Sequence, residues 1–481
     1  MRYRNVLSTL GALTMALGAT MIVPLVISLF YRDGGTSGLA MSLCLTLGGG
    51  FFLWRFFHIP DPDLTLREGV FVVTLTWLAA FVLGALPYYL DGEFLRFIDA
   101  LFESASGFTT TGASVATNVE GMPHGILFWR ALTHWLGGMG IVVLSVAIMP
   151  LIGVGGMQLF RAEVPGPTED KLTPRIVDTA RVLWMVYTGL TVLETIFLVL
   201  GGMTWFDAIC HSFATIATGG FSTKNASIGY YQSSYIHFVV AIFMFLAATN
   251  FGLYYGLMRG DWRSFFRNPE FRLFALLVTV FVAVLTLILH FELDLPTFIA
   301  FRDSLFQVLT IHSCTGFATA DYEQWPYGAQ ALLFLIMFIG GCAGSTAGGP
   351  KVMRIGVLLK QAFNEPFFVL HPRGVKPIKY GKDIIPGKVM RSIWSFFFLY
   401  MLTFGLGTLL LGFAGNDIVT SSSAVATCMG GIGPGFGTVG PAENFAHLTA
   451  FAKWVLIFCM LMGRLEIYTV LILFAPAFWR K

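Results

Sequence analysis

The sequence predicts an all-α, polytopic membrane protein. Two N-terminal helices precede four pseudo-symmetric copies of one unit, each a spanning helix, a short re-entrant segment and a second helix. Three observations carry this. Of 481 residues, 56% are hydrophobic and 12% charged, and the mean hydropathy is +0.74, far above a soluble domain of this length. Apolar runs of about 20 residues, enough for a helix to cross the hydrocarbon core, recur from 9–30 to 455–478 and number about ten. Between them lie four semi-polar segments of about 10 to 15 residues, too short to cross at ~1.5 Å per residue.

The first run, "MRYRNVLSTLGALTMALGATMIVPLVISLF", starts like a secretory leader. Its apolar stretch is too long for one and no small-residue cleavage motif follows, so it reads as a retained helix. With its successor it fills residues 1–60, and the repeats occupy 61–160, 161–262, 263–372 and 373–481. Their short segments read "DALFESASGFTTTGAS" from Asp99, "DAICHSFATIATGGFST" from Asp207, "DSLFQVLTIHSCTGFAT" from Asp303 and "DIVTSSSAVATCMGGIGPGFG" from Asp417. Such self-similarity marks a repeat architecture. The spacing is 13 positions from Asp99 to Gly112, from Asp207 to Gly220 and from Asp303 to Gly316, and 16 from Asp417 to Gly433. Each aspartate is expected to cap its half-helix, with roughly one extra turn in the fourth copy.

Backbone that leaves a helix inside the bilayer must line a wet cavity, because lipid cannot satisfy its carbonyls. Glycine permits dihedrals that turn successive carbonyl oxygens inward, and threonine adds a hydroxyl without charge. Four such segments could together replace the water shell of a cation. Glycines elsewhere, as in "LGGMG" at 136–140, read as helix-packing residues; packing alone would not repeat at a fixed spacing after an aspartate.

Charge sorts by loop. Most of the thirty Lys and Arg residues lie at Arg2, Arg4, Arg55, Arg67, 161–181, 259–272, 351–391, Arg480 and Lys481, which makes that side and both termini cytoplasmic. The opposite loops carry Asp91, Glu93, Glu120, Glu292, Asp294, Asp321, Glu323 and Glu443, an acidic mouth that attracts cations. The six cysteines show no CxxC or metal-ligand spacing, so neither disulfides nor a zinc site is expected. No nucleic-acid partner is expected.

The stretches "TTTGA", "SFATIATGGFST", "IGGCAGSTAGG", "GGMQLFRAEVPGP", "KLTPRI" and "AKWVLIFCMLMGRLEIYTVLILF" together resemble the Trk/Ktr/HKT superfamily of potassium transporters, closely its bacterial Trk membrane subunits, over essentially the whole chain. The resemblance implies four helix–pore-loop–helix repeats related to potassium channels. It implies a filter of Thr111 and Gly112, Gly219 and Gly220, Thr315 and Gly316, Ile432 and Gly433. K+ is the implied ion, since glycine stands in all four copies where sodium-favouring plant relatives carry serine in the first. The resemblance further implies a homodimer with one pore per subunit, a cytoplasmic nucleotide-binding ring protein as regulator, and a bacterial inner membrane. Two segments depart from the family: the fourth reads "MGGIGPG" for "NNLGPG", and the third "SCTGF" where relatives more often carry "TAGF".

The span after the third filter, about 327–363, is interrupted by "GGCAGSTAGGP" at 340–350. At roughly 1 kcal/mol per glycine, and more for proline, this stretch is expected to be an irregular loop beneath the third filter. By resemblance it is an intramembrane gate comprising Gly340, Gly341, Gly344, Ser345, Thr346, Gly348 and Gly349. Arg464 lies about ten residues into the last span, ~15 Å from its start, too deep to reach water. Glu466, two positions on, does not share its helical face. Arg464 is expected either to pair with another helix or to face the pore as a barrier to cations. Lys351, Arg354 and "HPRGVKPIKYGKD" at 371–383 follow the loop; positive-inside topology explains them, or docking of the regulator, since the sequence carries no nucleotide motif of its own.

An enzyme would need ionisable groups converging in the bilayer, and none is expected: His134, His211 and His312 have no matching carboxylate or cysteine nearby in sequence and read as structural. A coupled K+/H+ or K+/Na+ symporter is the stronger alternative, because broken helices also build such sites. Its candidate coupling carboxylates, Glu194 and Glu466, lie outside the filter copies.

Overall fold

The computed structural model describes residues 2–59, 64–140, 176–371, 373–374, 376–381 and 383–480. The quoted stretches at 155–167 and 171–176 and the boundaries at 60/61 and 160/161 fall wholly or mainly outside them. The described chain is helical apart from loops and a hairpin pairing Lys379–Tyr380 with Asp383–Ile384.

Among the described residues, six helices are long and apolar enough to span a membrane: Tyr3–Tyr31, Thr36–Phe57, Arg67–Leu90, Arg181–Leu200, Pro269–Glu292 and Val389–Phe413. Two more are bent pairs, Ser234–Ala247 with Phe251–Met258 at 94° and Ala450–Arg464 with Tyr468–Phe474 at 111°. The inner helices that follow the first and third filter segments are not among these eight. That of the first repeat, His124–Gly138, reaches the edge of the described residues, and that of the third stops at Ile336 and resumes as Val352–Leu370.

The N-terminal helix pair packs through small residues. A side chain at Gly11 would meet the backbone of Gly50 and Trp54, so the axes approach as glycine contacts allow in membranes. At one end Arg2 pairs with Glu68 at 2.9 Å, and Glu68 completes a capping box with Thr65 at the start of the first repeat. Arg67 Nη1 donates to the Arg480 carbonyl at 2.8 Å, so both chain ends lie on one face.

The re-entrant segments form helices Phe97–Phe108, Trp205–Ile216, Thr297–His312 and Ile418–Gly430, of 12, 12, 16 and 13 residues. The expected caps hold only for Asp417, which accepts from Val419 and Thr420 N–H at 3.0 and 3.1 Å. Asp99 and Asp207 lie in the first turn, where Thr204 caps the second helix. Asp303 lies inside the third helix, because Pro296 starts it earlier. The 16-position spacing of the fourth copy therefore reflects an aspartate ahead of the helix rather than an extra turn.

Candidate functional site: a ring of four filter segments

All four pore helices end alike. The N–H groups of Thr111, Gly219, Thr315 and Ile432 reach back five residues to the carbonyls of Ser106, Ala214, Thr310 and Thr427, at 2.8 to 2.9 Å. That bond requires the preceding residue to be left-handed, the Schellman ending. Thr110, Thr218, Cys314 and Gly431 take φ of 55°, 54°, 59° and 70°, and two positions on Gly112, Gly220, Gly316 and Gly433 take 80°, 80°, 83° and 97°. Alternating left- and right-handed residues turn successive carbonyls to one side, where the ends of four helices meet.

The segments close on one another. A Cβ at Gly112 would overlap the carbonyl oxygen of Gly219, one at Gly220 that of Thr315, and one at Gly316 that of Ile432; one at Gly433 would lie 2.8 Å from the Thr111 oxygen. Each glycine thus abuts the residue preceding the glycine in the next repeat, and the fourth returns to the first. All eight residues expected from the sequence lie in this ring, and the departures in the third and fourth segments leave its backbone pattern intact. Sequence reasoning missed the left-handed Thr110, Thr218 and Cys314, since only the helix ending imposes that geometry on side chains that disfavour it.

A buried network holds the ring from behind. Glu103, fully buried on the first pore helix, accepts from Arg130 Nε at 2.6 Å, Ser114 Oγ at 2.9 Å and Val115 N–H at 2.9 Å. Arg130 also donates to the Ser222 carbonyl at 2.8 Å and lies 3.7 Å from the Phe221 ring, joining the first two filter segments. His134 bonds the Gly107 carbonyl through Nδ1 at 2.8 Å and accepts from Phe221 N–H at Nε2 at 3.1 Å. His211 bonds the Asp207 carbonyl and Ser222, and His312 the Ile339 carbonyl. All three histidines act as scaffold. Arg130→Ala leaves Glu103 charged and unpaired, and is expected to lower stability by ~3–5 kcal/mol. In a double-mutant cycle of thermal unfolding, adding Glu103→Gln should recover part of that loss.

Above the ring, Lys453 Nζ reaches Asp99 at 2.6 Å, tying the last repeat to the first. Glu323 accepts from the Gly437 N–H just beyond the fourth filter segment. Burial, then the nearby charges of Asp321 and Glu443, hold its carboxyl above the usual range against that hydrogen bond.

Below the ring the chain is irregular over 337–351. The loop reaches well beyond the third repeat. Thr346 Oγ1 donates to the carbonyls of Ile216 at 2.9 Å and Ala247 at 3.2 Å in the second repeat. A Cβ on Gly348 would overlap the Gly430 carbonyl in the fourth, and one on Gly431 would lie 3.8 Å from the Thr110 oxygen of the first and 3.9 Å from Gly348 Cα. The Cys314 thiol of the third filter lies 3.7 Å from where a Gly349 side chain would begin. Gly340, Gly341 and Gly344 line the loop's path, and Ser345 bonds the Cys342 carbonyl at 2.6 Å.

Arg464 meets this loop. Nη1 lies 3.4 Å from Thr110 Oγ1 and 3.5 Å from the Thr346 carbonyl, while Nη2 donates to the carbonyls of Gly137 and, at 3.1 Å, Gly138. The guanidinium therefore bridges a filter base, the loop and the negative end of a helix. Glu466 turns away because the helix breaks there, with φ of 50°, and it pairs with Arg354 at 2.7 Å. Lys351 is buried and donates to the Ala347 carbonyl at 2.7 Å. Lys351 and Arg354 are thus packed against the loop and the last helix. Of the two coupling candidates, Glu466 is committed to this pair; Glu194 is fully buried on the outer helix Ile176–Leu200.

A family model described as "Cation transport protein", TrkH, matches residues 43–481. The chain is 42% identical to the Trk system potassium uptake protein TrkH of Escherichia coli (strain K12), over the full length of both. It is 38% identical to the TrkG protein of the same organism, over 98% of this chain and 97% of that one. The crystal structure of the potassium transporter TrkH from Vibrio parahaemolyticus superposes with a TM-score of 0.90 at 38% identity, covering all of both chains.

Proposed function

The chain belongs to the TrkH family of cation transport proteins, and on that premise we propose that it is the K+-conducting subunit of a potassium uptake system. The observation that carries this reading is the closed ring of alternating left-handed residues from Thr110 to Gly433. In it K+ exchanges its water for backbone oxygens of the Thr111, Gly219, Thr315 and Ile432 positions and their neighbours. An inside-negative potential supplies roughly 2.3 kcal/mol per 100 mV for each ion, so passage needs no chemical step.

Beneath the ring, Gly340 to Gly349 and Arg464 form the gate: the loop fills the path and the guanidinium sets a positive barrier. The repeats divide as 61–160, 161–262, 263–372 and 373–481, after the helix pair of 1–60. The chain sits in a bacterial inner membrane with both termini cytoplasmic, works as a homodimer with one pore per subunit, and takes its signal from a cytoplasmic nucleotide-binding ring subunit. The distribution of Lys and Arg supports the orientation, and the family resemblance supports the assembly.

The test is ion flux into liposomes holding the purified protein, under K+, Rb+, Na+ and Li+ gradients, with and without a pH gradient. K+ and Rb+ flux independent of pH gradient is expected; flux that vanishes without a proton gradient would establish coupled symport instead. The mouth adds a dependence on external pH alone. Because the Glu323 carboxyl is raised by burial and its acidic neighbours, it loses its charge at a higher pH than the ~4.3 of a free glutamate. Uptake at low external K+ should fall as pH drops through that point, and Glu323→Gln should remove the inflection.

A further inference from the structure

The loop beneath the filter is held by a residue outside both the ring and the ion path. Helix Val352–Leu370 begins without a side-chain cap of its own, since Lys351 at its N-cap position makes none. Glu270, buried on the first turn of helix Pro269–Glu292, supplies one: its Oε1 accepts from Met353 N–H at 3.2 Å and from Ala343 N–H at 2.9 Å. Those two groups stand on opposite legs of the loop, ten positions apart. Between them the neck closes through Gly340 N–H to the Pro350 carbonyl at 2.5 Å and Val352 N–H to the Gly341 carbonyl at 3.0 Å. One carboxylate thus joins the descending leg, the ascending leg and the positive end of the helix that follows.

We propose that Glu270 is the positioning residue that clasps the gate shut, so that opening begins with Ala343 and Met353 leaving its carboxylate. This rests on the reading of 340–350 as the gate. The loop cannot swing from under Gly430 while both legs are fastened to an outer helix, and a charge-assisted hydrogen bond is stronger than a neutral one. Helix Val352–Leu370, whose first turn is one end of the clasp, is the element that would draw the loop away.

The experiment is Rb+ flux into liposomes for the full-length chain and for Glu270→Ala, Glu270→Gln and Arg464→Ala. Glu270→Ala should raise basal flux about tenfold, the change that ~1.4 kcal/mol of lost closed-state preference produces, with the K+ to Na+ ratio unchanged because the ring is untouched. Glu270→Gln should lie between, since its amide oxygen still accepts but carries no charge. Labelling read by mass spectrometry supplies a second measure: Cys342, buried in the loop, should react faster with a maleimide in Glu270→Ala, while Cys210 and Cys428 stay protected. Parental flux and parental Cys342 labelling in Glu270→Ala, with flux raised in Arg464→Ala, would overturn the clasp and leave the gate standing. Parental flux in both variants would overturn the gate reading itself.

Discussion

Alanine in place of Gly220 is expected to abolish K+ conduction in a protein that still folds. The residue holds φ of 80°, where an L side chain is strained, and its Cβ would overlap the Thr315 carbonyl oxygen of the next repeat. Either the oxygen turns out of the ring or the segment backs away, and in both cases one quarter of the K+ coordination shell is lost. Losing even ~2.7 kcal/mol of coordination at the narrowest point slows passage about a hundredfold. Gly112→Ala and Gly316→Ala should behave alike, because each meets the same contact in turn. Gly48→Ala is the control: nothing beyond the neighbouring backbone of its own helix lies within 4 Å of the added carbon, and flux should be unchanged. Rubidium flux per folded protein, with folding judged by size-exclusion profile, checks all four.

Arg464→Ala is expected to do the opposite and raise basal flux. A unit charge at ~8 Å from a passing cation, at an effective dielectric constant of about 20, opposes it by ~2 kcal/mol, about thirtyfold in rate. Arg464→Ala removes that repulsion together with the bonds to Thr110, Thr346, Gly137 and Gly138 that hold loop and filter base together. Arg464→Lys keeps the charge but loses the fork that reaches several oxygens at once, so its flux should rise less. Unchanged flux in Arg464→Ala would mean the guanidinium is only a brace.

The fourfold pattern was legible because the bilayer restricts the options: a short semi-polar segment ending in Thr and Gly has few ways to satisfy its backbone away from lipid. The interrupted span at 340–350 and the depth of Arg464 were legible for the same reason. What local reasoning missed are contacts between residues distant in sequence. Helical spacing excludes Glu466 as the partner of Arg464 but does not reveal that the helix breaks at Glu466 or that its partner is Arg354, 112 positions away. Glu103 and Arg130 stand 27 positions apart; a lone Glu in "FESASGF" and a lone Arg in "FWRALTHW" were signals of a buried pair. The capping aspartates misled because proximity to a helix start in sequence does not fix which residue begins the helix: Thr204 and Pro296 did so in the second and third repeats.

The most direct test of the central claim is anomalous diffraction from crystals of this chain grown in Rb+. Sites are predicted on the axis enclosed by the carbonyls of Thr111, Gly219, Thr315 and Ile432, with none when Li+ replaces Rb+. Rb+ bound off that axis, at carboxylates such as Glu194 with the ring empty, would contradict the account.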